Sequence, residues 1–315
     1  MTLLRRMFDF TASPLGPAQA SSVPVVANDG FSALVLARLS TVAQKLAPRA
    51  GSPSTRSGRQ PLGHIALVGA GPGARDLLTL RAVQRIQAAD VVFYDRLVEP
   101  EIVALAGPRT KCVFVGKHVG AHSWPQERIN AAIVSAARRG LRVVRLKSGD
   151  PGIFGRAGEE LAAARQENID VEIVPGVTSA SAAAAELGQS LTERGIADTL
   201  ILTTGMSRAG AHLPDSARFA APGTTTAFYM SVRQASRIRD ALMARGMPAD
   251  APVNVAVEVT KPGQKLIHGT LGALDHLLAQ SQVKGCAMIL VTWPASASQT
   301  TVSASPVASE QQPAN

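Results

Sequence analysis

Two features of this 315-residue chain could do chemistry. One is a glycine turn, Val68-Gly69-Ala70-Gly71-Pro72-Gly73. The other is an acid, Asp95, which closes a second apolar run 24 residues after Gly71. A glycine turn between strand and helix can bring bare backbone N–H groups against an anionic ligand. An acid at about that distance can take a ribose hydroxyl, so the pair imitates a dinucleotide fingerprint and admits an NAD-dependent oxidoreductase. The details oppose that reading. The spacing is G-x-G-x-G, Ala74 stands where the G-x-x-G step needs glycine, and Pro72 removes a donor where a pyrophosphate wants one. The next helix begins only around Thr79, away from the turn. A tight turn needing backbone freedom explains two of the three glycines. Asp95, at the carboxyl end of a strand, sits where open α/β sheets place ligands and could accept a proton. A helix cap or a salt bridge with Arg96 would explain an acid there equally well.

The elements that must hold these residues are short apolar runs alternating with helical patterns. Strands are expected at Ile65–Ala70, Val91–Asp95, Cys112–Gly116, Val143–Leu146, Val171–Val174, Thr199–Thr204, Thr225–Met230, Val253–Val259 and Ala287–Trp293. Helices are expected at Leu80–Ala89, Glu99–Ala106, Gln126–Arg139, Gly158–Gln166, Ser179–Leu187, Ser231–Arg245 and Gly272–Gln280. Several strand candidates are continuous Val/Ile/Leu runs, as strands buried on both faces require. Alternation of this kind argues for an α/β fold. About five strands precede Pro175-Gly176 and about four follow, so two sheets are expected, in domains 63–174 and 175–294.

Composition narrows the partners. The formal net charge is +9, compatible with an acidic small molecule, a nucleic acid or a membrane surface. With two Trp, two Tyr and eight Phe there is little for base stacking, and the core has no dense basic stripe, so nucleic acid is disfavoured. No apolar run of 18 residues exists, so no spanning helix is expected. Cys112 and Cys286 cannot build a disulfide framework or a four-cysteine zinc site, and a reducing compartment is the simplest setting. The histidines lack metal-ligand spacing. Residues 1–62 hold Arg5, Arg6, Arg38, Lys45, Arg49, Arg56 and Arg59 against Asp9 and Asp29, five of the nine surplus charges. The segment reads as a disordered basic extension, with an organelle transit peptide as the alternative to a cytoplasmic protein. Phe31 to Leu46 could form one short amphipathic helix, and residues 295–315 read as a second disordered tail.

The glycine turn is more specific in company. It is followed by Asp76-Leu-Leu-Thr-Leu-Arg-Ala-Val, Ala89-Asp-Val-Val-Phe-Tyr-Asp-Arg-Leu-Val, Val115-Gly-Lys and His122-Ser-Trp-Pro-Gln-Glu-Arg-Ile-Asn. Then come Val143-Val-Arg-Leu-Lys-Ser-Gly-Asp-Pro, Ile153-Phe-Gly-Arg, Val174-Pro-Gly-Val-Thr-Ser-Ala, Leu191-Thr-Glu-Arg-Gly, Phe228-Tyr-Met and Gly269-Thr-Leu. Over about residues 63–293 this order resembles the uroporphyrinogen-III C-methyltransferases of the tetrapyrrole methylase family. The resemblance implies a two-domain α/β fold with two mixed sheets, flanking helices and an interdomain cleft holding S-adenosylmethionine, usually as a homodimer. It also implies the reaction: two methyl transfers to pyrrole carbons of uroporphyrinogen III, giving precorrin-2 for sirohaem, cobalamin and haem d1. No metal is required.

Carried over residue by residue, the resemblance makes Asp95 the proton acceptor and Lys117 the proton donor. Pro72, Ser148, Gly149, Asp150, Ile153, Thr178, Ser179, Met230 and Val259 fall at cofactor positions. Turn geometry would equally account for Pro72 and Asp150, an N-cap for Thr178, and core packing for Ile153 and Met230. The substrate carries eight carboxylates, and Lys117, His118, His122, Arg128, Arg145, Lys147 and Arg156 gather near the expected cleft. Arg128 and Arg156 lead as carboxylate binders because guanidinium bonds carboxylate bidentately, with His122 beside them. The chain departs from the family pattern at Ala74, Ser148, Gly152 (for Phe), Glu193 (for His) and Val259 (for Gly). Gly152 and Val259 bear on substrate choice. They keep open a sister methylase acting on a later precorrin, and a non-catalytic tetrapyrrole-binding relative.

Overall fold

The structure, a computed structural model, describes residues 62–116, 124–206 and 215–295. The expected extension up to Pro61, its helix near Phe31, the tail beyond 295, and Lys117, His118 and His122 lie outside the described residues. All described residues fall within one compact unit, Arg59–Asn315.

The first sheet is built from β1 (His64–Gly69), β2 (Val91–Tyr94), β3 (Lys111–Phe114), β4 (Arg142–Lys147) and β5 (Val171–Val174), in the order β3-β2-β4-β1-β5. Every pairing is parallel, so the expectation of a mixed sheet is corrected here. The cause is visible in the chain: a crossover on a face separates each of these strands from the next, and no tight hairpin joins any two. α1 (Leu80–Ala88) and α2 (Pro100–Val103) lie on one face, and α3 (Gln126–Arg138) and α4 (Ala157–Gln166) on the other. Alternate strand residues divide between them. Ile65, Leu67, Phe93 and Val143 meet Ile129 and Ile133 of α3 and Ala164 of α4. Ala66, Val68, Val92, Val144 and Leu146 meet Ala82 and Ile86 of α1 and Ile102 of α2. Burial on both faces explains the unbroken apolar runs.

The second sheet holds β6 (Thr199–Thr204), β7 (Thr224–Tyr229), β8 (Pro252–Val257), β9 (Lys265–Thr270) and β10 (Ala287–Trp293), in the order β6-β7-β10-β8-β9. Only β6–β7 is parallel, and this sheet is mixed as expected. α5 (Ser179–Glu186) covers one face with alanines, while α6 (Ala235–Ala244) and α7 (Leu274–Gln280) cover the other. The small side chains of α5 let it lie close against Ala227, Ala256 and Leu290.

Candidate functional site

β2, β4 and β1 are neighbours and run parallel, with Phe93 opposite Arg145, Leu67 opposite Arg145, and Gly69 opposite Lys147. Their carboxyl ends therefore deliver Asp95, the Ser148–Asp150 loop and the glycine turn to one edge of the sheet. The turn and the loop are joined directly: Gly71 N–H donates to Gly149 O at 3.2 Å, and Gly149 N–H returns to Gly71 O at 2.7 Å. Gly149 adopts φ +70°, which favours glycine. A Cβ there would meet nothing nearer than Ser179 Oγ at 3.9 Å, so the buried loop leaves room beside a bare stretch of backbone. Gly176, after β5, closes the back of this cradle, where a Cβ would lie 2.3 Å from Gly149 O.

Asp150 knits the cradle together. One of its carboxylate oxygens accepts from Gly152 N–H at 2.7 Å and the other from Gly176 N–H at 3.0 Å. Pro72 is buried in the turn and Ser148 is half-buried. Thr178 occupies the N-cap position of α5, but its hydroxyl pairs with the Tyr229 hydroxyl at 2.6 Å instead of capping. Burial raises the Tyr229 phenol above its usual range, partly offset by that Thr178 bond. Ile153 and buried Val259 pack into the cluster that holds Ala180 and Tyr229, and the Phe154 ring lies 4.9 Å from the Tyr229 ring. Met230 leaves β7 at φ 52° with half of its surface exposed. Phe154, Arg156, Glu258 and Thr260 share its left-handed backbone. Such strain in side-chain-bearing residues is held by surrounding structure and concentrates at ligand sites.

Asp95 is held from two sides. Its Oδ1 accepts from Leu97 N–H at 3.1 Å, and its Oδ2 lies 3.2 Å from Arg145 Nη2, with 29% of the side chain still exposed. The alternative pairing with Arg96 is not formed by these atoms. Arg145 in turn bonds Glu160 of α4, whose other oxygen takes Lys147 Nζ at 2.8 Å. Glu160 escaped the site reading of the sequence, and Lys147 was read only as one of the cations near the cleft. An alternating Arg-Leu-Lys in an apolar strand, with an acid four residues into the following helix, was the available signal. Burial is the first cause holding Lys147 below its usual range, with Arg145 acting in the same direction and Glu160 and Asp95 opposing.

The arginines expected to bind carboxylates stand farther out. The Arg128 guanidinium lies 4.0 Å over the Trp124 ring. Arg156, at the N-cap of α4, forms a bidentate pair with Glu159 at 2.7 Å. The structure does not bring either into contact with Asp95. Between the two sheets, Ala74 N–H donates to Thr260 Oγ1, and Lys261 Nζ binds Leu97 O and Glu99. A cleft of about 780 Å³ opens at this seam beside Asp76, Glu99 and Glu101. Those acids disfavour a polycarboxylate there. Among the described residues no cluster of His, Cys, Asp or Glu is arranged for a metal, both cysteines are free, and no helix is long and apolar enough to cross a membrane.

Residues 64–275 match the family of Tetrapyrrole (Corrin/Porphyrin) Methylases. The chain belongs to that family. Among curated relatives, a "Siroheme synthase 2" of Klebsiella pneumoniae is 47% identical over 229 residues, covering 73% of this chain and 50% of that protein. The chain thus spans about half the length of the curated relatives it matches. A cobalt precorrin-4 methyltransferase structure is similar with TM-score 0.65 and 31% identity, over 73% of this chain and 95% of that one. A uroporphyrin-III C-methyltransferase from Thermus thermophilus, complexed with S-adenosyl homocysteine, gives TM-score 0.62 and 35% identity over 73% and 97%. For a tetrapyrrole methylase, the strand-end edge carrying Asp95 and the glycine cradle becomes the place to look for methyl transfer.

Proposed function

We propose that this tetrapyrrole methylase uses S-adenosylmethionine to methylate uroporphyrinogen III twice, giving precorrin-2. The observation that carries the reading is the shared sheet edge: a partly exposed, doubly held carboxylate beside a bare-backbone cradle. The cradle fits the cofactor on this chain's own geometry. Gly149 leaves room where a Cβ would stand without a clash, Met230 and Ile153 supply apolar contact, and the Thr178 and Ser179 hydroxyls supply polar contact. Pro72, Ser148, Asp150 and Val259 complete the proposed lining. When bound, the cofactor supplies an electrophilic methyl group on a sulfonium.

The protein's part is alignment and proton removal. A pyrrole carbon that gains a methyl group must lose a proton from the ring system, and Asp95 is the acceptor in this reading. Arg145 and Leu97 N–H hold that carboxylate in one orientation. Lys117 returns a proton to the macrocycle. Arg128, Arg156 and His122 take substrate carboxylates, with the Glu159 partner of Arg156 exchanged for substrate. The enzyme works as a homodimer.

Methyl-labelled cofactor incubated anaerobically with uroporphyrinogen III tests the substrate. Two label equivalents per macrocycle are expected. Label on a later precorrin, with none on uroporphyrinogen III, would replace this reading with the sister methylase. The similarity to a cobalt precorrin-4 methyltransferase and the Gly152 and Val259 departures favour that as the second reading.

A further inference from the structure

Glu160 carries the deepest ionised side chain near the site, with no exposed surface at all, and it touches neither the cradle nor open solvent. It rises from the first turn of α4 into the face of β4. There its two oxygens meet Arg145 Nε at 3.2 Å, Lys147 Nζ at 2.8 Å and Gln126 Nε2 at 3.3 Å. A fully buried carboxylate between two cations carries a large desolvation cost, which hydrophobic residues of similar size would avoid. Every buried polar side-chain atom among the described residues has a partner, so this network is closed. It reaches Asp95 through Arg145 Nη2, while on its far side Gln126 Nε2 also donates to Asn130 Oδ1 at 2.9 Å. Arg145 Nη1 is fixed to Leu146 O at 2.6 Å, so Glu160, Leu146 and Asp95 each hold a separate nitrogen of one planar guanidinium.

We infer that Glu160 is a positioning residue for methyl transfer. It fixes the Arg145 fork that orients Asp95, and with Lys147 it balances the charge that Asp95 experiences. The inference rests on the reading of Asp95 as the proton acceptor. Arg145, Lys147 and Glu160 together carry one net positive charge facing the Asp95 carboxylate. Removing the Glu160 charge raises that to two, and removing the Lys147 charge lowers it to zero. Tyr94 and Arg96 flank Asp95 in the chain, and neither variant changes them.

The test is the pH profile of turnover in the full chain, comparing wild type, Glu160→Gln, Lys147→Gln and Asp95→Asn. Glu160→Gln should move the acid-side limb to lower pH by about one unit, and Lys147→Gln should move it to higher pH by a similar amount. Glu160→Gln should also lower the plateau rate about tenfold while S-adenosylhomocysteine affinity changes less than twofold. Damage to folding alone would lower rates without moving the limbs in opposite directions. Should Glu160→Gln not fold, the Lys147→Gln limb decides by itself. Limbs that coincide with wild type, or move the same way, overturn the inference. If wild type transfers no methyl, or Asp95→Asn turns over at the wild-type rate, the underlying reading fails instead.

Discussion

Gly149 and Gly176 show why one residue type serves two needs in this site. Gly149 needs its backbone conformation and has space around it, whereas Gly176 lacks space. Gly149→Ala should therefore cost about 1–2 kcal/mol of stability, the price of a left-handed residue with a side chain. Gly176→Ala drives a Cβ into Gly149 O and should cost about 3 kcal/mol or more. Denaturant titration of both variants checks the order, and an equal cost would contradict this division of roles. Single residues also mark where the sequence was readable. Asp95 was placed at its strand end by pattern alone, because the apolar run stops there. Its partner Arg145 lies 50 residues away, and only the parallel register of β2 against β4 makes them neighbours. Asp150 was assigned to the ligand, while in the fold both of its oxygens hold backbone N–H groups of the cradle.

Elements with strong periodicity were legible, and edges were not. β5, β6 and β10 match their sequence-based bounds, and α1 starts where Thr79 stands, whose side chain accepts from Ala82 N–H as its N-cap. β9 was missed. It is an edge strand beside β8 with no fully buried residue, so it lacks the apolar run that marks an interior strand. The long helix expected from Ser231 begins instead as a 3₁₀ turn at Val232–Gln234, and α2 is a single turn.

Elements are also tied by charge. Asp90, just before β2, accepts from Arg142 N–H, Nε and Nη2 at the start of β4. The Arg142 hydrogen bonds are the largest influence on its carboxyl and hold it below the usual carboxylate range, against a smaller effect of burial. A depressed folded-state pKa gives stability that is present above the unfolded value, about 3.9, and lost as pH falls through the folded value. The stability difference between wild type and Asp90→Asn should thus be largest near neutral pH and shrink below about pH 4. Denaturant midpoints at a series of pH values check this, and a difference independent of pH would contradict it.

At the scale of the molecule, two sheets of different kinds meet at a seam. The parallel sheet ends in the glycine turn and Asp95, and the mixed half meets the loops beside them through Thr260 and Lys261. Sequence alternation suggested the two sheets but not the contact between them, because Ala74 and Thr260 are 186 residues apart. Lys261 reaches Leu97 O, and the Leu97 N–H holds Asp95, so the second half of the fold steadies the loop that carries the proposed base. The charge also divides by place. Five of the nine surplus charges sit in residues 1–62, and in the folded part Arg145, Lys147 and Arg156 are held in ion pairs.

The central claim is that one sheet edge joins a cofactor cradle to a proton-accepting Asp95. Parallel measurement of S-adenosylhomocysteine affinity and uroporphyrinogen III turnover in Asp95→Asn tests it most directly. The account predicts affinity within about twofold of wild type and turnover reduced at least about a hundredfold, the lower end of a general-base contribution. Turnover equal to wild type in a folded, cofactor-binding Asp95→Asn protein would contradict it.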